Sequence, residues 1–317
     1  MGAGVGPVES LEGIRRTLGR LSVAASVATF ALIVFGGIVR ITGSGMGCGD
    51  DWPLCNGQLI PPMDLPTMIE YGHRLAALLV SAFVGAVALV AFMVRRRDTS
   101  VEVSTGSGSR VWRLAASAVV LLIIQILLGA VTVWLELPPA SVILHLGTAM
   151  LLLAVLIVIS SEAVGPGRQR VNDRASGIAW WTSVATLAVI LLGALTANLD
   201  AGLACQGFPL CNGRLLPGSG GNPLILSHWG HRVAAYALVA WCLVLPATIR
   251  KRRPGDPGLR RPAWATAIVA VLQLAVGAVM VLMSLPGALR AAHVGLGAAV
   301  FVAAVRLAWV ARYPASD

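Results

Sequence analysis

A chain of 317 residues with 57% apolar and only 12% charged side chains cannot cover a water-soluble globule with polar surface, so an ordinary soluble domain is excluded and an integral membrane protein is indicated. The net charge of +10 invites a nucleic-acid partner. The basic residues, however, fall in short loops between apolar stretches, so the charge is read as membrane topology and nucleic acid is excluded as a partner.

A hydrocarbon core of about 30 Å takes roughly 20 apolar residues per helix. Eight stretches qualify, in chain order 21–40, 67–94, 114–135, 140–162, 178–199, 224–249, 263–284 and 290–311. The first is too long for a signal peptide and lacks a small-residue cleavage site before Gly43-Ser44-Gly45-Met46-Gly47, so it reads as a retained helix. The loop that follows, 41–66, carries Cys48 and Cys55, and the loop 98–109 is rich in Ser, Thr and Gly and reads as flexible. Gly165-Pro166-Gly167, with nearby Arg168, Arg170 and Arg174, marks a boundary between halves 1–164 and 165–317. In the second half the loop 200–223 carries Cys205 and Cys211, and 253–262 corresponds to 98–109. Lys and Arg enrichment in alternate loops puts both termini in the cytoplasm and both cysteine loops outside. The expected fold is all-α and integral to the membrane. Its eight transmembrane helices form two tandem four-helix bundles, related by a pseudo-twofold axis along the membrane normal.

The halves repeat their motifs as well as their hydropathy. Glu70-Tyr71-Gly72-His73-Arg74 returns as His228-Trp229-Gly230-His231-Arg232. Gln125 and Gly129-Ala130-Val131, followed by His145-Leu146-Gly147, return as Gln273 and Gly277-Ala278-Val279, followed by His293-Val294-Gly295. Each cysteine pair closes on Pro-Leu-Cys-Asn-Gly. Four of the five histidines are therefore duplicated, and the one chemical asymmetry is Glu70 against His228.

In each half the second and fourth helices run the same way, which sets His73 level with His145 and His231 level with His293, roughly 8–10 Å below the outer rim. A lone intramembrane histidine often serves only as a hydrogen-bond partner, but two matched pairs point to a cofactor site between facing helices. Zinc wants about four ligands, often including thiolate or carboxylate. Two imidazoles without them suit the axial positions of a haem iron better. The Gly and Ala around them leave room for a flat macrocycle, although small residues also serve helix packing.

Arg40, Arg74, Arg232 and Arg290 sit at the same outer level, against the positive-inside trend. They are candidates for pairing with haem propionates, or for snorkelling to the interface. Glu70, one turn outward of His73, is a candidate general acid or base; a structural pair with Arg74 is the alternative. Spacings of seven and six residues allow disulfides Cys48–Cys55 and Cys205–Cys211, read as loop staples with a redox-active pair as second choice. Cys242, mid-helix, reads as an apolar filler.

The segment Arg40-Ile41-Thr42-Gly43-Ser44-Gly45-Met46-Gly47-Cys48, then Asp51-Trp52-Pro53-Leu54-Cys55 and Glu70-Tyr71-Gly72-His73-Arg74, resembles the haem A synthase family over nearly the whole chain. The resemblance implies oxidation of a ring methyl group of haem O to a formyl group, through successive hydroxylations, supplying haem A to the terminal cytochrome oxidase. It implies that the N-terminal half takes the substrate haem on His73 and His145 with Glu70 as the essential acid. It implies a haem b cofactor in the C-terminal half on His231 and His293, and loop disulfides at the cysteine pairs. His228 is then a less favoured alternative ligand. The partners implied are haem O, haem O synthase, cytochrome oxidase assembly factors and membrane lipid, with a homo-oligomer left open. Two other readings remain: a dihaem b-type electron-transfer cytochrome, and a transporter, for which the histidines lie too near the rim.

Overall fold

The computed structural model describes residues 7–62, 64–99, 106–165, 169–217 and 221–313. Residues 100–105 of the loop after the second helix and Pro166–Arg168 of the boundary lie outside the described residues. Eight long helices follow one another: α1 Pro7–Ile41, α2 Leu65–Thr99, α3 Ser107–Trp134, α4 Pro139–Val164, α5 Arg174–Asn198, α6 Pro223–Arg252, α7 Arg260–Leu282 and α8 Gly287–Arg312. All eight are long and apolar enough to cross a membrane. Short 3₁₀ turns occupy Ala201–Leu203 and Pro257–Leu259, and among the described residues β pairing is limited to single bridges, Cys55 with Gln58 and Cys211 with Arg214. Every expected stretch is found as a helix; α1, α2, α3 and α5 run a turn or more beyond it at one end, α1 beginning well before residue 21, and α3, α5 and α7 stop one or two residues short at their C-terminal ends.

Helix pairing repeats between the halves. Helix α1 packs on α2 and α4, α2 on α3, and α3 on α4; α5 packs likewise on α6 and α8, α6 on α7, and α7 on α8. The halves meet where α1 touches α8, α4 touches α5, and α4 touches α8. Ile33, Met150, Leu153, Phe301 and Val305 form the core of that junction. In lipid no hydrophobic force draws helices together, so close packing of small residues does the work. The interior is accordingly built with alanines such as Ala25, Ala91, Ala118, Ala263 and Ala304, while Leu78, Leu89, Ile123 and Leu243 face outward, each more than half exposed.

Local chemistry sets the turns. In each cysteine loop an Asn-Gly pair holds positive φ at both residues, 51° and 72° at Asn56-Gly57 and 52° and 73° at Asn212-Gly213, the tight hairpin turn such pairs favour. Disulfides Cys48–Cys55 and Cys205–Cys211 close the loops, with Cα separations of 4.4 and 4.5 Å. The α3–α4 turn carries two left-handed residues, Glu136 and Leu137, and the α7–α8 turn repeats them at Ser284 and Leu285. Leu137 packs on Gly45 and Leu285 on Gly202, where a β-carbon would come within 2.8 and 2.7 Å. These turns thereby lock each α3–α4-type corner under the loop that follows the half's first helix.

Candidate haem-binding site

The register of the even-numbered helices puts the histidines at matched depths. His73 and His231 lie eight residues past Leu65 and Pro223, and His145 and His293 six past Pro139 and Gly287. Each ring is seated against a glycine of the preceding helix. A β-carbon would meet ring Cε1 at 3.2 Å from Gly36 (His73), 3.2 Å from Gly129 (His145), 2.8 Å from Gly193 (His231) and 3.0 Å from Gly277 (His293). One Gly–His contact thus recurs four times, between α1 and α2, α3 and α4, α5 and α6, and α7 and α8. Gly129 and Gly277 were visible in the repeated motif, but they make room for imidazole as much as for a macrocycle. Gly36 and Gly193 were missed; they share the 157-residue offset of Cys48 and Cys205, a signal that was available.

All four histidines are partly exposed as residues, yet each Nδ1 is buried without a hydrogen-bond partner. His231 and His293 line one cavity of about 400 Å³, and their ring centres stand 6.5 Å apart at 83°. Two metal–imidazole bonds of about 2 Å each, with the distance from each nitrogen to its ring centre, add up to about 6 Å, so the pair fits a single metal ion between the rings. Among the described residues no three of His, Cys, Asp and Glu come together. The pair therefore suits a metal that brings its own equatorial ligands, as haem iron does. In the N-terminal half the amide nitrogen of Gln125 lies 3.0 Å from His145 Nε2. An amide NH₂ only donates, so that Nε2 is the acceptor and the ring proton sits on Nδ1.

The same cavity is lined from both halves, by Ile33, Gly37 and Arg40 of α1 and Leu146 and Met150 of α4, besides α5 to α8. Arg40 reaches across to Asn198 Oδ1 (2.9 Å), to the Ala197 carbonyl and to Asp200 Oδ1 (3.4 Å). Arg290 lines the cavity beside it and makes no ion pair or side-chain hydrogen bond among the described residues. The repeat offsets put Ala197 opposite Arg40 and Val142 opposite Arg290, so neither cation has a counterpart in the other half.

Arg232 also lines this cavity, but it and Arg74 are engaged as clamps on the cysteine loops. Arg74 donates to the carbonyls of Asp51 (2.9 Å) and Leu54 (2.5 Å) and to Glu70 Oε1 (2.6 Å). Arg232 donates to the carbonyls of Leu210 (2.9 Å) and Cys205 (2.7 Å) and to His228 Nε2 (3.0 Å). Glu70 is 4% exposed, and its Oε2 accepts from the Cys48 amide at 2.8 Å. His228, also 4% exposed, takes the equivalent place. Its Nε2 accepts from an arginine that can only donate, so Nδ1 carries the proton and donates to the Ala201 carbonyl at 2.9 Å. Both ring nitrogens of His228 are occupied, which leaves none for a metal. Glu70 and His228 are thus the same buried loop anchor made from an anion in one half and a neutral imidazole in the other. Cys242 is free and fully buried, packed with Ala267, Ala270 and Val300.

Comparison with known proteins adds the following. The family model described as "Cytochrome oxidase assembly protein" matches residues 19–305. A protein named "Heme A synthase" from Symbiobacterium thermophilum is 32% identical over 294 residues, 89% of this chain and 91% of that protein. Proteins of the same name from Alkalihalophilus pseudofirmus (34% over 230 residues, 71% and 73% covered) and Bacillus licheniformis (28% over 316 residues, 95% and 98% covered) are also similar.

Proposed function

As the chain belongs to the cytochrome oxidase assembly protein family with which its residues 19–305 match, we propose that it is a haem A synthase. In this reading it is an oxidoreductase of the plasma membrane that converts a ring methyl group of haem O to a formyl group by successive hydroxylations. The observation that carries the reading is the repeat of four glycine-seated histidines with buried Nδ1 atoms, with His231 and His293 at a separation that fits one metal ion.

The two halves, 1–164 and 165–317, share one helix-pairing scheme and are read as four-helix bundles about a pseudo-twofold axis. In the C-terminal half His231 and His293 would hold a resident haem b, and Arg40 and Arg290 would be available to pair with its carboxylates. Bound there, haem b supplies reversible one-electron transfer. Arg74 and Arg232 act through the loops that they hold over the two sites. The N-terminal half takes the substrate haem O on His73 and His145, and Gln125 must release His145 as the substrate arrives. Glu70 lies one helical turn from His73, in the place where the other half has a neutral ring; Asp200, the carboxylate that lines the other half's cavity, is engaged by Arg40. Glu70 is the group that would receive or return protons at the methyl group.

By the positive-inside rule the arginine-rich ends and both termini are cytoplasmic and the disulfide loops extracytoplasmic. Haem O, a lipid-soluble molecule, enters from the membrane; a haem O synthase is the natural supplier, and cytochrome oxidase assembly factors the recipients of haem A. A plain dihaem cytochrome is not favoured by the names of the relatives.

The test is chromatography of haems extracted from cells that make haem O and express this chain. The wild type should yield formyl-bearing haem. His73→Ala and His145→Ala should abolish it while leaving haem B in the purified protein. A wild type that binds haem B and never yields formyl haem would instead be an electron-transfer cytochrome.

A further inference from the structure

The tips of the two disulfide loops carry a repeated pair of exposed apolar residues. Leu59 and Ile60 are 78% and 74% exposed, and Leu215 and Leu216 are 77% and 66% exposed. Flexible polar loops do not usually display such pairs, and here both copies do. Each tip is also held at a defined height. Tyr71 Oη donates to the Leu59 carbonyl at 2.8 Å, and Trp229 Nε1 donates to the Leu215 carbonyl at 2.9 Å. Tyr71 and Trp229 are equivalent residues of the repeat, near the starts of α2 and α6.

Their depth follows from the helices. Tyr71 lies 24 residues before Arg95, and Trp229 lies 21 before Arg250, the first arginines at the opposite ends of α2 and α6. At a rise of about 1.5 Å per residue these spans are about 36 and 32 Å, against about 30 Å for the hydrocarbon core. With the arginines at one interface, both aromatic rings fall in the other, where Tyr and Trp are favoured. The leucine carbonyls bonded to the ring tips lie in the same layer. The helix starts that follow are apolar and exposed as well, with Leu65 and Met68 on α2 and Leu224 and Leu226 on α6.

We infer that Leu59-Ile60 and Leu215-Leu216 are lipid anchors, inserted at the boundary between headgroups and acyl chains of the leaflet on the cysteine-loop face. The disulfide loops then lie along the membrane and do not project from it. The polar neighbours Gln58 and Arg214, both exposed, meet the headgroups. The inference uses only the eight-span topology and stands apart from the haem assignment.

The test uses the full-length protein in phosphatidylcholine vesicles, with a photoreactive phenylalanine analogue placed at Ile60, Leu216, Asp50 or Leu78. No thiol is introduced, so both disulfides stay intact. Leu78, 67% exposed on the span of α2, gives the yield for a lipid-facing site, and Asp50, exposed on the same loop, gives the yield for water. Mass spectrometry of the irradiated protein should find phospholipid adducts at Ile60 and Leu216 within about twofold of the Leu78 yield and several-fold above Asp50. Adduct yields at the tips equal to those at Asp50, or crosslinks to a second copy in place of lipid, would overturn the assignment.

Discussion

At the scale of single residues, Glu70 and His228 show how one position serves two purposes. Both anchor a cysteine loop and both receive an arginine from the next helical turn. For Glu70 alone a part in the chemistry is proposed as well. Removing one partner from a buried ion pair costs roughly 3–5 kcal/mol when the other is stranded, so Glu70→Ala confounds loop and chemistry. Glu70→Gln keeps the shape and one of the two acceptor oxygens, enough for either the Cys48 amide or Arg74, and Glu70→His reproduces the anchor of the other half. We expect both variants to keep their fold and their haem B and to lose formyl formation, with haem O or a hydroxylated haem retained. Formyl haem made by Glu70→His at the wild-type rate would reduce Glu70 to a loop anchor. The asymmetry itself was plain in the sequence, because it stands inside an otherwise repeated motif. That the two side chains share a hydrogen-bonding role was not plain, since the loop amides and carbonyls that they touch lie 20 to 30 residues away.

At the scale of elements, helix positions were legible because lipid forces backbone groups to be satisfied within each span, so hydropathy reports them directly. The histidine pairs were legible through the repeat. Their seats were harder to see, because a glycine on one helix and a ring on another leave no local periodicity. The seating makes a graded prediction. Gly193→Ala places a methyl 2.8 Å from His231 Cε1, and Gly36→Ala places one 3.2 Å from that of His73. Overpacking of this kind costs about 1–3 kcal/mol. Gly193→Ala should therefore lower haem B content or shift its Soret band in the purified protein, and Gly36→Ala should act on the substrate half alone. Gly85→Ala, with nothing within 4 Å, is the control and should leave both unchanged. The ends of helices matter too. Asp173 caps α5, accepting from Ser176 N at 2.9 Å, and Arg253 hydrogen-bonds it at 2.8 and 2.9 Å. The Arg253 hydrogen bond, helped by the Ser176 amide, holds the Asp173 carboxyl down at about 2. A lowered carboxyl pKa stabilises the fold fully above its unfolded value of about 4, and the effect fades as pH falls toward the folded one. The difference in melting temperature between wild type and Arg253→Ala in detergent should hold constant from pH 8 to 5 and shrink below pH 4. A difference that grows on acidification would reverse the sign of this linkage.

At the scale of the whole molecule, the halves are joined through the cavity of His231 and His293 as well as through their packed core. Arg40 belongs to α1, yet it bonds Ala197 and Asn198 at the end of α5 and Asp200 just past it, and lines the cavity of His231 and His293. Rim arginines could be recognised in the sequence from their break with the positive-inside trend. That three of the four, Arg40 from the other half among them, line the C-terminal cavity could not, because it depends on how α1 crosses between the bundles. A fixed cation beside a haem favours the reduced, less positive state. At an effective dielectric of about 20 and a separation of about 10 Å, one charge contributes about 1–2 kcal/mol, or some tens of millivolts for a one-electron couple. Arg40→Gln and Arg290→Gln should each lower the midpoint potential of the b-type haem by that order, although the first lies in the other half of the chain. The shift should weaken for Arg40→Lys, which keeps the charge and loses the fork that spans Asn198 and Ala197. Arg16→Gln, exposed at the opposite end of α1, should leave the potential where it was. Spectroelectrochemical titration of the purified protein reads all four. Equal midpoints in wild type and Arg40→Gln would mean that α1 only closes the wall of the cavity and that its charge is spent on Asp200.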